Sequence, residues 1–267
     1  MALRFLSLAS GSSGNCYYLG TPEYGILFDA GIGCRAIRKI LRNNGIELEQ
    51  VIAVFITHDH TDHIKSAGSL GGKFGIPIYA TSEVHTGVEC SRFINGLPTA
   101  SRRIIRKGKP VVIRDFIITA FEVPHDARDC VGYRAQYGKD VWVLATDVGH
   151  IDDTVGKFIC RANHLILEAN YDREMLINGS YSLSLKERIM NGFGHLCNTE
   201  AAEFLAAHFN SRLRNIWLCH LSRDNNRPEL ACEAVERAFG QQGICIGKNL
   251  KIRALERNTP SELYQLN

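Results

Sequence analysis

One heptapeptide constrains the fold of this chain more than any other feature, Thr57-His58-Asp59-His60-Thr61-Asp62-His63. It places three imidazoles and two carboxylates within six consecutive positions, 58–63. The apolar, mostly β-branched run at 51–56 directly before it predicts a buried strand. Small and apolar residues at helix-compatible spacing follow over 64–74. The pattern predicts a strand-to-helix turn at the carboxyl end of a strand, where open α/β sheets place their sites.

Two interpretations of this turn are open. In the first, the histidines are structural and cap the helix that follows. In the second, they bind metal, since divalent ions are held by several imidazole and carboxylate ligands at once. A helix cap has no need of three imidazoles, so the composition of the turn favours the metal site.

Several polar residues elsewhere share one arrangement, an apolar strand with a carboxylate or an imidazole at its end. The residues that follow it are Asp29, His58, Asp147, Glu168 and His220. If the strands share an edge, these side chains converge on one site. Among them, Asp29 is the expected buried support of the heptapeptide at 57–63, which we call the histidine turn.

The remaining apolar runs predict an alternation of strands and helices without an internal repeat. Strands are expected at 3–8, 16–19, 25–28, 76–80, 111–113, 116–121, 131–136, 141–145, 165–167, 216–218 and 250–253. Helices are expected at 35–41, 82–90, 183–190, 199–209 and 228–239, with Thr199 as the N-cap of the fourth. A polar tail follows the last strand.

Two segments each have two interpretations. The loop of small residues at 10–15 is either a tight hairpin turn or a backbone surface that faces a phosphate. The segment 101–109 carries five positive charges and no negative one. Such a run is either a solvated face or a contact surface for nucleic acid.

Length and composition predict one large α/β domain over residues 1–267. The net charge of +3 is mildly basic and does not by itself indicate a nucleic-acid partner. Nine cysteines without a C-x-x-C pair indicate thiols and a cytoplasmic protein. No apolar run approaches the roughly 18 residues of a membrane span, and the N-terminal run is too brief for a signal peptide. No obligate protein partner is evident.

The H-x-H-x-D-H pattern at 58–63 resembles the signature of the metallo-β-lactamase superfamily. The resemblance implies an α/β fold of the αββα four-layer sandwich type, with two mixed β-sheets flanked by helices. It also implies two divalent ions, zinc or manganese with iron as an option. The implied ligands are His58, His60 and His125 on one ion, Asp62, His63 and His220 on the other, and Asp147 between them. Two ions about 3.5–4 Å apart can activate a shared water and stabilise both reacting oxygens.

Five further motifs narrow the resemblance to the YycJ (WalJ, VicX) family, which is related to tRNase Z and the RNase J nucleases. They are Ser-Gly-Ser-Ser-Gly-Asn at 10–15, Pro-His-Asp at 124–126, Glu-Ala-Asn-Tyr-Asp at 168–172, Gly-His-Leu-Cys-Asn at 194–198 and Leu-Ser-Arg-Asp-Asn-Asn at 221–226. Ala169, Tyr171 and Cys197 depart from the residues that family members often have. The resemblance implies a double-stranded DNA exonuclease that acts from the 5′ end.

Outside the metal ligands, the resemblance implies a catalytic role for His195. Oriented by Glu168, it would face the scissile phosphate and protonate the leaving oxygen or stabilise its charge. Asp62 joins His195 and Glu168 in the catalytic group. The alternative is that His195 only caps the helix at 199–209. The other histidines outside the motifs are expected to be structural, namely His85, His150, His164 and His208.

Three classes of function are open. The first is a phosphodiesterase that acts on nucleic acid and uses a water activated by two metal ions. DNA is the favoured substrate over RNA. The second is a small-molecule hydrolase of thioesters or lactones, like glyoxalase II, and the third is a metal-stabilised binding module without activity. The His195–Glu168 pair and the basic segment favour the first class. The expected contacts to substrate are Ser12, Ser13, Asn15, Ser222, Arg223 and Asn226.

Overall fold

Two mixed sheets of seven strands form the framework of this computed structural model, which describes residues 2–92, 94, 96–247 and 249–266. The chain divides into two units, and each sheet belongs to one of them. The first unit comprises Met1–Arg106, Ala127–Cys130 and Glu256–Asn267, and the second comprises Lys107–Asp126 and Val131–Leu255. The two mixed sheets with flanking helices agree with the expected fold class. One domain over residues 1–267 stays a prediction.

The strands are mostly short and buried. In chain order they are β1 (Leu3–Ala9), β2 (Cys16–Gly20), β3 (Gly25–Phe28), β4 (Val51–Phe55), β5 (Ile78–Ala80), β6 (Arg102–Ile104), β7 (Val111–Ile113), β8 (Phe116–Glu122), β9 (Val131–Tyr137), β10 (Asp140–Ala145), β11 (His164–Glu168), β12 (Asn215–Cys219), β13 (Lys251–Ala254) and β14 (Tyr264–Leu266). The strand predicted at 76–80 is shorter than expected and covers Ile78–Ala80.

The first sheet has the strand order β14-β1-β2-β3-β4-β5-β6. Its first half is antiparallel, while β3, β4, β5 and β6 run parallel. The carboxyl ends of β3 and β4 therefore open at one edge, and this edge receives Asp29 and the histidine turn. The second sheet has the order β13-β12-β11-β10-β9-β8-β7, and β10, β11, β12 and β13 run parallel.

The helices lie between these strands in the sequence. They are α1 (Cys34–Asn43), α2 (Thr61–Ile64), α3 (Ala67–Phe74), α4 (Ser82–Cys90), α5 (Asp153–Ile159), α6 (Arg173–Asn178), α7 (Leu183–Met190), α8 (Asn198–Ala207) and α9 (Pro228–Gln241). Two short 3-10 turns add to them at Leu48–Gln50 and Thr99–Ser101. Apolar side chains of α1, α3 and α4 pack on the buried residues of the first sheet to form one core.

Three details of the helices differ from the sequence expectation. The helix expected after the histidine turn breaks at Ser66, because the backbone N–H of Ser66 donates to the carbonyl of Ala30 instead of continuing a helical ladder. Cys197, not Thr199, is the N-cap of α8, and its side chain makes no capping hydrogen bond. Helices α5 and α6 were not predicted, and each begins behind an aspartate whose side chain accepts a backbone N–H.

Two segments without a predicted element pair at the edges of the first sheet. The C-terminal tail contributes β14, whose Leu266 pairs with Leu3 of β1. The basic segment contributes β6, in which Arg102 and Arg103 lie on the last strand of the sheet. Positive charge on an edge strand discourages pairing with other chains, so part of this charge run has a structural reason. Among the described residues, no helix combines the length and the apolar character that a membrane span requires.

Candidate metal centre and catalytic residues

The histidine turn of the first unit connects β4 to α2. Because β3 and β4 are parallel and end in register, Asp29 and the turn leave the sheet at the same edge. The ring centroids of His58 and His60 lie 4.6 Å apart, and those of His58 and His63 lie 4.1 Å apart. His58 and His63 are fully buried. The turn thus gathers three imidazoles at one place.

Asp29 is the buried support of this turn that the sequence predicts. Its Oδ1 accepts the backbone N–H of Thr57 at 2.8 Å, and its Oδ2 accepts Nδ1–H of His63 at 2.7 Å. The hydroxyl of Thr57 donates to the same carboxylate at 3.0 Å. Burial raises the pKa of Asp29 above its ordinary value, although the charge of His63 and these hydrogen bonds oppose the rise.

These hydrogen bonds select the tautomers of two histidines. His63 donates from Nδ1 to Asp29, so in the neutral ring, the form that binds metal, Nε2 carries the lone pair. The hydroxyl of Thr57 gives its proton to Asp29, and it therefore accepts from Nδ1 of His58 at 3.0 Å. In both histidines Nε2 is the nitrogen that can coordinate a metal, the usual arrangement when Nδ1 is held by a second group.

The loop of small residues at 10–15 holds the other side of the turn. The backbone N–H of Asn15 donates to the carbonyl of Asp62 at 2.7 Å, and the Asn15 carbonyl accepts from Gly31 at 2.8 Å. The Asn15 side-chain nitrogen lies 3.0 Å from Nε2 of His63 and 3.4 Å from Oδ2 of Asp62. A Cβ at Gly31 would overlap the Asp62 carbonyl, so only glycine fits this close approach.

The second unit places its polar residues at the ends of three adjacent parallel strands. Asp147 follows β10 by two residues, Glu168 is the last residue of β11, and His220 directly follows β12. All three are buried. Nδ1 of His220 lies 3.4 Å from Oδ1 of Asp147. Within this unit the strand ends therefore converge as the sequence pattern predicts.

Glu168 organises this group through four hydrogen bonds. Its Oε1 accepts Nδ1–H of His195 and Nδ1–H of His220, each at 2.9 Å. Its Oε2 accepts the backbone N–H groups of Val148 at 2.6 Å and Leu196 at 3.2 Å. Burial alone raises the pKa of Glu168, but the charge of His195 and the hydrogen bonds from both histidines lower it below its ordinary value.

His195 is the most accessible of these second-unit residues, with 24% of its side chain exposed. Burial lowers the pKa of His195, but the charge and hydrogen bond of Glu168 raise it by more, so the pKa lies above its ordinary value. The neighbouring His125 donates from Nδ1 to the carbonyl of Gly194 at 3.0 Å, and its ring centroid lies 5.5 Å from that of His195. The Gly194–His195 loop thus fixes both rings.

Left-handed backbone conformations mark the site residues. Among the described non-glycine residues, φ is positive at Asp29 (60°), Asp147 (54°) and His220 (56°), and otherwise only at Arg114 (50°). Each such residue costs about 1–3 kcal/mol and persists only where its surroundings over-determine the conformation. Such outliers cluster at functional sites, so their coincidence with three predicted site residues supports that assignment.

The donor sets of both units fit divalent metal ions. In the second unit, one ligand atom each of Asp147, Glu168, His195 and His220 lies within 4.8 Å of the others. Glu168 already accepts four N–H donors, which fits a support better than a ligand. In the first unit the histidine turn offers imidazole nitrogens with the carboxylate of Asp62. Mixed imidazole and carboxylate donors suit zinc, manganese and iron.

Comparison with known proteins decides the family. Residues 24–216 match the family described as "Beta-lactamase superfamily domain". The chain is 34% identical to the exodeoxyribonuclease YycJ of Bacillus anthracis, over 98% of this chain and 99% of that one. It is 33% identical to the exodeoxyribonuclease WalJ of Streptococcus pneumoniae serotype 2, over 100% and 99% of the two chains. The chain belongs to the YycJ/WalJ family of the beta-lactamase superfamily.

The fold of this YycJ/WalJ chain is that of the metallo-β-lactamases. It resembles the metallo-beta-lactamase fold protein YhfI from Bacillus subtilis with a TM-score of 0.71 over 98% of this chain and 99% of that one. At 17% sequence identity this likeness concerns the fold alone. The predicted fold class, its two mixed sheets with helices and the family resemblance are confirmed.

The residues predicted to bind substrate lie in the YycJ/WalJ motifs and differ in accessibility. Ser12, Ser13 and Arg223 are exposed, and Ser222 is half-buried. Asn15 is buried against the histidine turn. Asn226 is also buried, and its side-chain nitrogen donates to the carbonyls of Ala169, Asn170 and the side chain of Asn198 at 2.8–3.0 Å.

Two supporting residues of the centre escaped the sequence reasoning. Asn170 donates its side-chain N–H to the carbonyl of His220 at 2.7 Å and so fixes the end of β12. Thr57 links Asp29 to His58 and His63. Both lie inside motifs that the sequence displays, directly beside or two positions from a predicted site residue. Their polarity at a strand end was the signal that could have identified them.

The remaining histidines have structural environments. His85 and His164 are buried, and Nε2 of His85 donates to the carbonyl of Arg103 at 3.1 Å. His150 and His208 are exposed and donate to the carbonyls of Gly192 and Phe204. Two cations of the basic segment are ion-paired, Arg102 with Glu89 and Lys107 with Glu122.

Proposed function

We propose that this chain is a metal-dependent phosphodiesterase that degrades double-stranded DNA from the 5′ end. The observation that carries the proposal is the 2.9 Å hydrogen bond between His195 and Glu168 at the end of β11. It occurs in a chain that is 33–34% identical over its length to proteins named exodeoxyribonucleases. Hydrolases of thioesters or lactones have no need of this pair.

The proposed ligands are those of the family motif. One divalent ion is held by His58, His60 and His125, the other by Asp62, His63 and His220, with Asp147 between them. The hydrogen bonds of Nδ1 in His58, His63, His125 and His220 support this assignment, because they leave Nε2 as the coordinating atom. When bound, zinc, manganese or iron ions would supply an activated water near neutral pH and stabilise charge on the phosphodiester.

His195 is the proposed proton donor to the leaving oxygen. Its Nδ1–H is held by Glu168, so a second proton would reside on Nε2. The raised pKa of His195 favours this protonated form near neutral pH. Glu168 keeps the ring oriented, and Asp62 completes the catalytic group from the histidine turn.

The proposed contacts to the DNA backbone are short polar side chains and one arginine. Hydroxyl groups of Ser12, Ser13 and Ser222 can donate to phosphate oxygens, and Arg223 can neutralise one charge. The buried Asn15 and Asn226 would hold their loops in place for these contacts.

The thiol state of the nine cysteines supports a cytoplasmic location.

The test is an assay on duplex DNA labelled at either the 5′ or the 3′ end, with Mn²⁺ or Zn²⁺ added. Matched RNA duplexes and a thioester substrate are assayed in parallel. We expect stepwise release of the 5′ label, slower cleavage of RNA and no thioester hydrolysis. His208→Ala changes an exposed histidine outside the site and should act like the wild type, whereas Asp147→Asn should be inactive. Rapid thioester cleavage with intact nucleic acid would instead favour the small-molecule hydrolase.

A further inference from the structure

The loop between α7 and α8 carries a large apolar side chain on its surface. Phe193 is 55% exposed and lies two residues before His195. Their Cα atoms are therefore no more than about 7 Å apart. Single exposed apolar residues are common and need no explanation by themselves. The surroundings of this one distinguish it.

The backbone of this loop is fixed on the side of Phe193. The backbone N–H of Phe193 donates to the side-chain oxygen of Asn191 at 2.8 Å. Nδ1–H of His150 donates to the carbonyl of Gly192 at 2.7 Å. The His150 ring also meets the Phe193 ring edge to face, with centroids 6.0 Å apart and an angle of 87° between the planes.

The loop is equally fixed on the side of His195. The backbone N–H of His195 donates to the carbonyl of Ile189 at 3.0 Å. A Cβ at Gly194 would overlap the carbonyls of Arg188 and Ile189, and one at Gly149 would overlap Gly192 and Phe193. The chain is thus packed on both sides of an aromatic ring that remains largely exposed. A ring ordered in advance loses little entropy when a ligand covers it.

We infer that Phe193 stacks on one nucleobase of the substrate, next to the phosphate that His195 faces. This inference rests on the proposed function. Successive bases of a strand are about 3.4 Å apart along the duplex axis. A residue whose Cα lies within about 7 Å of the His195 Cα can therefore present its ring to a base one or two nucleotides from that phosphate. Every base has a π-face, and stacking therefore positions a strand without selecting its sequence. Such a contact suits an exonuclease that advances through any sequence.

The first test measures binding without cleavage. The probe is a duplex with an unpaired 2-aminopurine overhang at its phosphorothioate-blocked 5′ end, where the base is free to stack on protein. Stacking quenches the fluorescence of this base. We expect quenching with the wild type and Phe193→Tyr, and its loss with Phe193→Ala and Phe193→Leu. The Kd of Phe193→Ala should rise about 5- to 150-fold, the usual effect of removing one stacking partner. Val112→Ala changes another exposed apolar residue of the same unit and should bind within about twofold of the wild type.

The second test removes the base instead of the ring. The duplexes for this test lack the phosphorothioate block and can be cleaved. Each carries one abasic site, at a nucleotide on one or the other side of the first scissile phosphate. At the stacked position, wild type and Phe193→Ala should have equal KM values, whereas on intact DNA the variant has a raised KM and an unchanged kcat. An equal loss for the variant at every abasic position would overturn the inference.

The outcomes separate this inference from the proposed function. Wild-type protein that quenches the probe but degrades no DNA would contradict the proposed nuclease and support stacking. If the wild type and Phe193→Ala degrade DNA equally well, the stacking inference is contradicted and the proposed nuclease function stands. Failure of the wild type both to quench and to cleave would overturn both.

Discussion

At the residue scale, one carboxylate oxygen controls two histidines with different roles. Oε1 of Glu168 accepts from both His195 and His220. His220 is a proposed metal ligand, whereas His195 is the proposed proton donor. A substitution of Glu168 would therefore disturb metal binding and proton transfer together. His195 offers the cleaner experiment, because the proposal gives it no metal.

The first residue-scale prediction concerns His195→Ala. Loss of a positioned general acid should lower kcat by about 10²- to 10⁴-fold. Metal content, measured by elemental analysis of protein purified without chelator, should stay that of the wild type. His208→Ala is the matched control and should retain full activity. If His195→Ala lost metal, His195 would be a ligand, and if it kept near-normal kcat, it would have no part in the reaction.

At the element scale, strand ends and close backbone contacts position the centre. In the first unit, one backbone hydrogen bond joins the histidine turn to the 10–15 loop and another joins it to the residues after β3, each at 2.7 Å. Gly31 lies at this junction, where its missing side chain makes room for the carbonyl of Asp62. Two residues farther on, Gly33 has no atom within 4 Å of an added Cβ. The two glycines form a natural pair of test and control.

The element-scale prediction is that Gly31→Ala displaces the histidine turn and Gly33→Ala does not. The added methyl group must push Asp62 away, so metal affinity should fall about 10- to 100-fold, the range for disturbed ligand support. Competition with a chromophoric chelator measures the affinity, and circular dichroism checks that both variants are folded. Equal metal affinities for the two variants would show that the turn tolerates the displacement.

At the scale of the whole molecule, buried neutral histidines couple stability to pH. His164 is fully buried at the start of β11, and burial, followed by the charge of Arg214, lowers its pKa to about 4. Its Nδ1 accepts the side-chain N–H of Asn215 at 2.9 Å, as a neutral ring does. The unfolded chain, with a pKa near 6.5, takes up this proton more readily than the folded one. Stability contributed by the neutral ring is therefore complete above pH 6.5 and lost as the pH falls toward 4.

The whole-molecule prediction follows from this difference. Between pH 6.5 and 4, the free energy of unfolding of the wild type should fall more than that of His164→Gln, by up to about 3 kcal/mol. Urea unfolding at a series of pH values measures both curves. His208→Gln, which changes an exposed histidine, should follow the wild type. Parallel curves for the wild type and His164→Gln would show that His164 is not the group responsible.

Features encoded over short distances were determined by the sequence alone. The histidine turn and the apolar runs before Asp147 and His220 were expected from neighbouring residues, and the described residues bear out their placement within each unit. The pairing of His195 with Glu168, 27 positions apart, was expected only from the family resemblance. Period and strand-end polarity depend on neighbouring residues, so they can be recognised without knowledge of the fold. The family motifs added the ligand assignment, which stays a prediction.

Features that depend on partners distant in the chain became apparent only from the folded molecule. Leu266 lies in a strand because it pairs with Leu3. The helix expected over 64–74 is interrupted at Ser66, whose backbone N–H donates to the carbonyl of Ala30. Three further contacts also join residues far apart in the chain. They are the hydrogen bond of Glu168 with His220, the close approach of Gly31 to Asp62 and the packing of His150 against the loop of Phe193. A single chain position does not reveal such partners, because their contact energy arises only after the strands are assembled. The sequence therefore predicted the candidate site residues, and the folded chain shows how those of each unit are held.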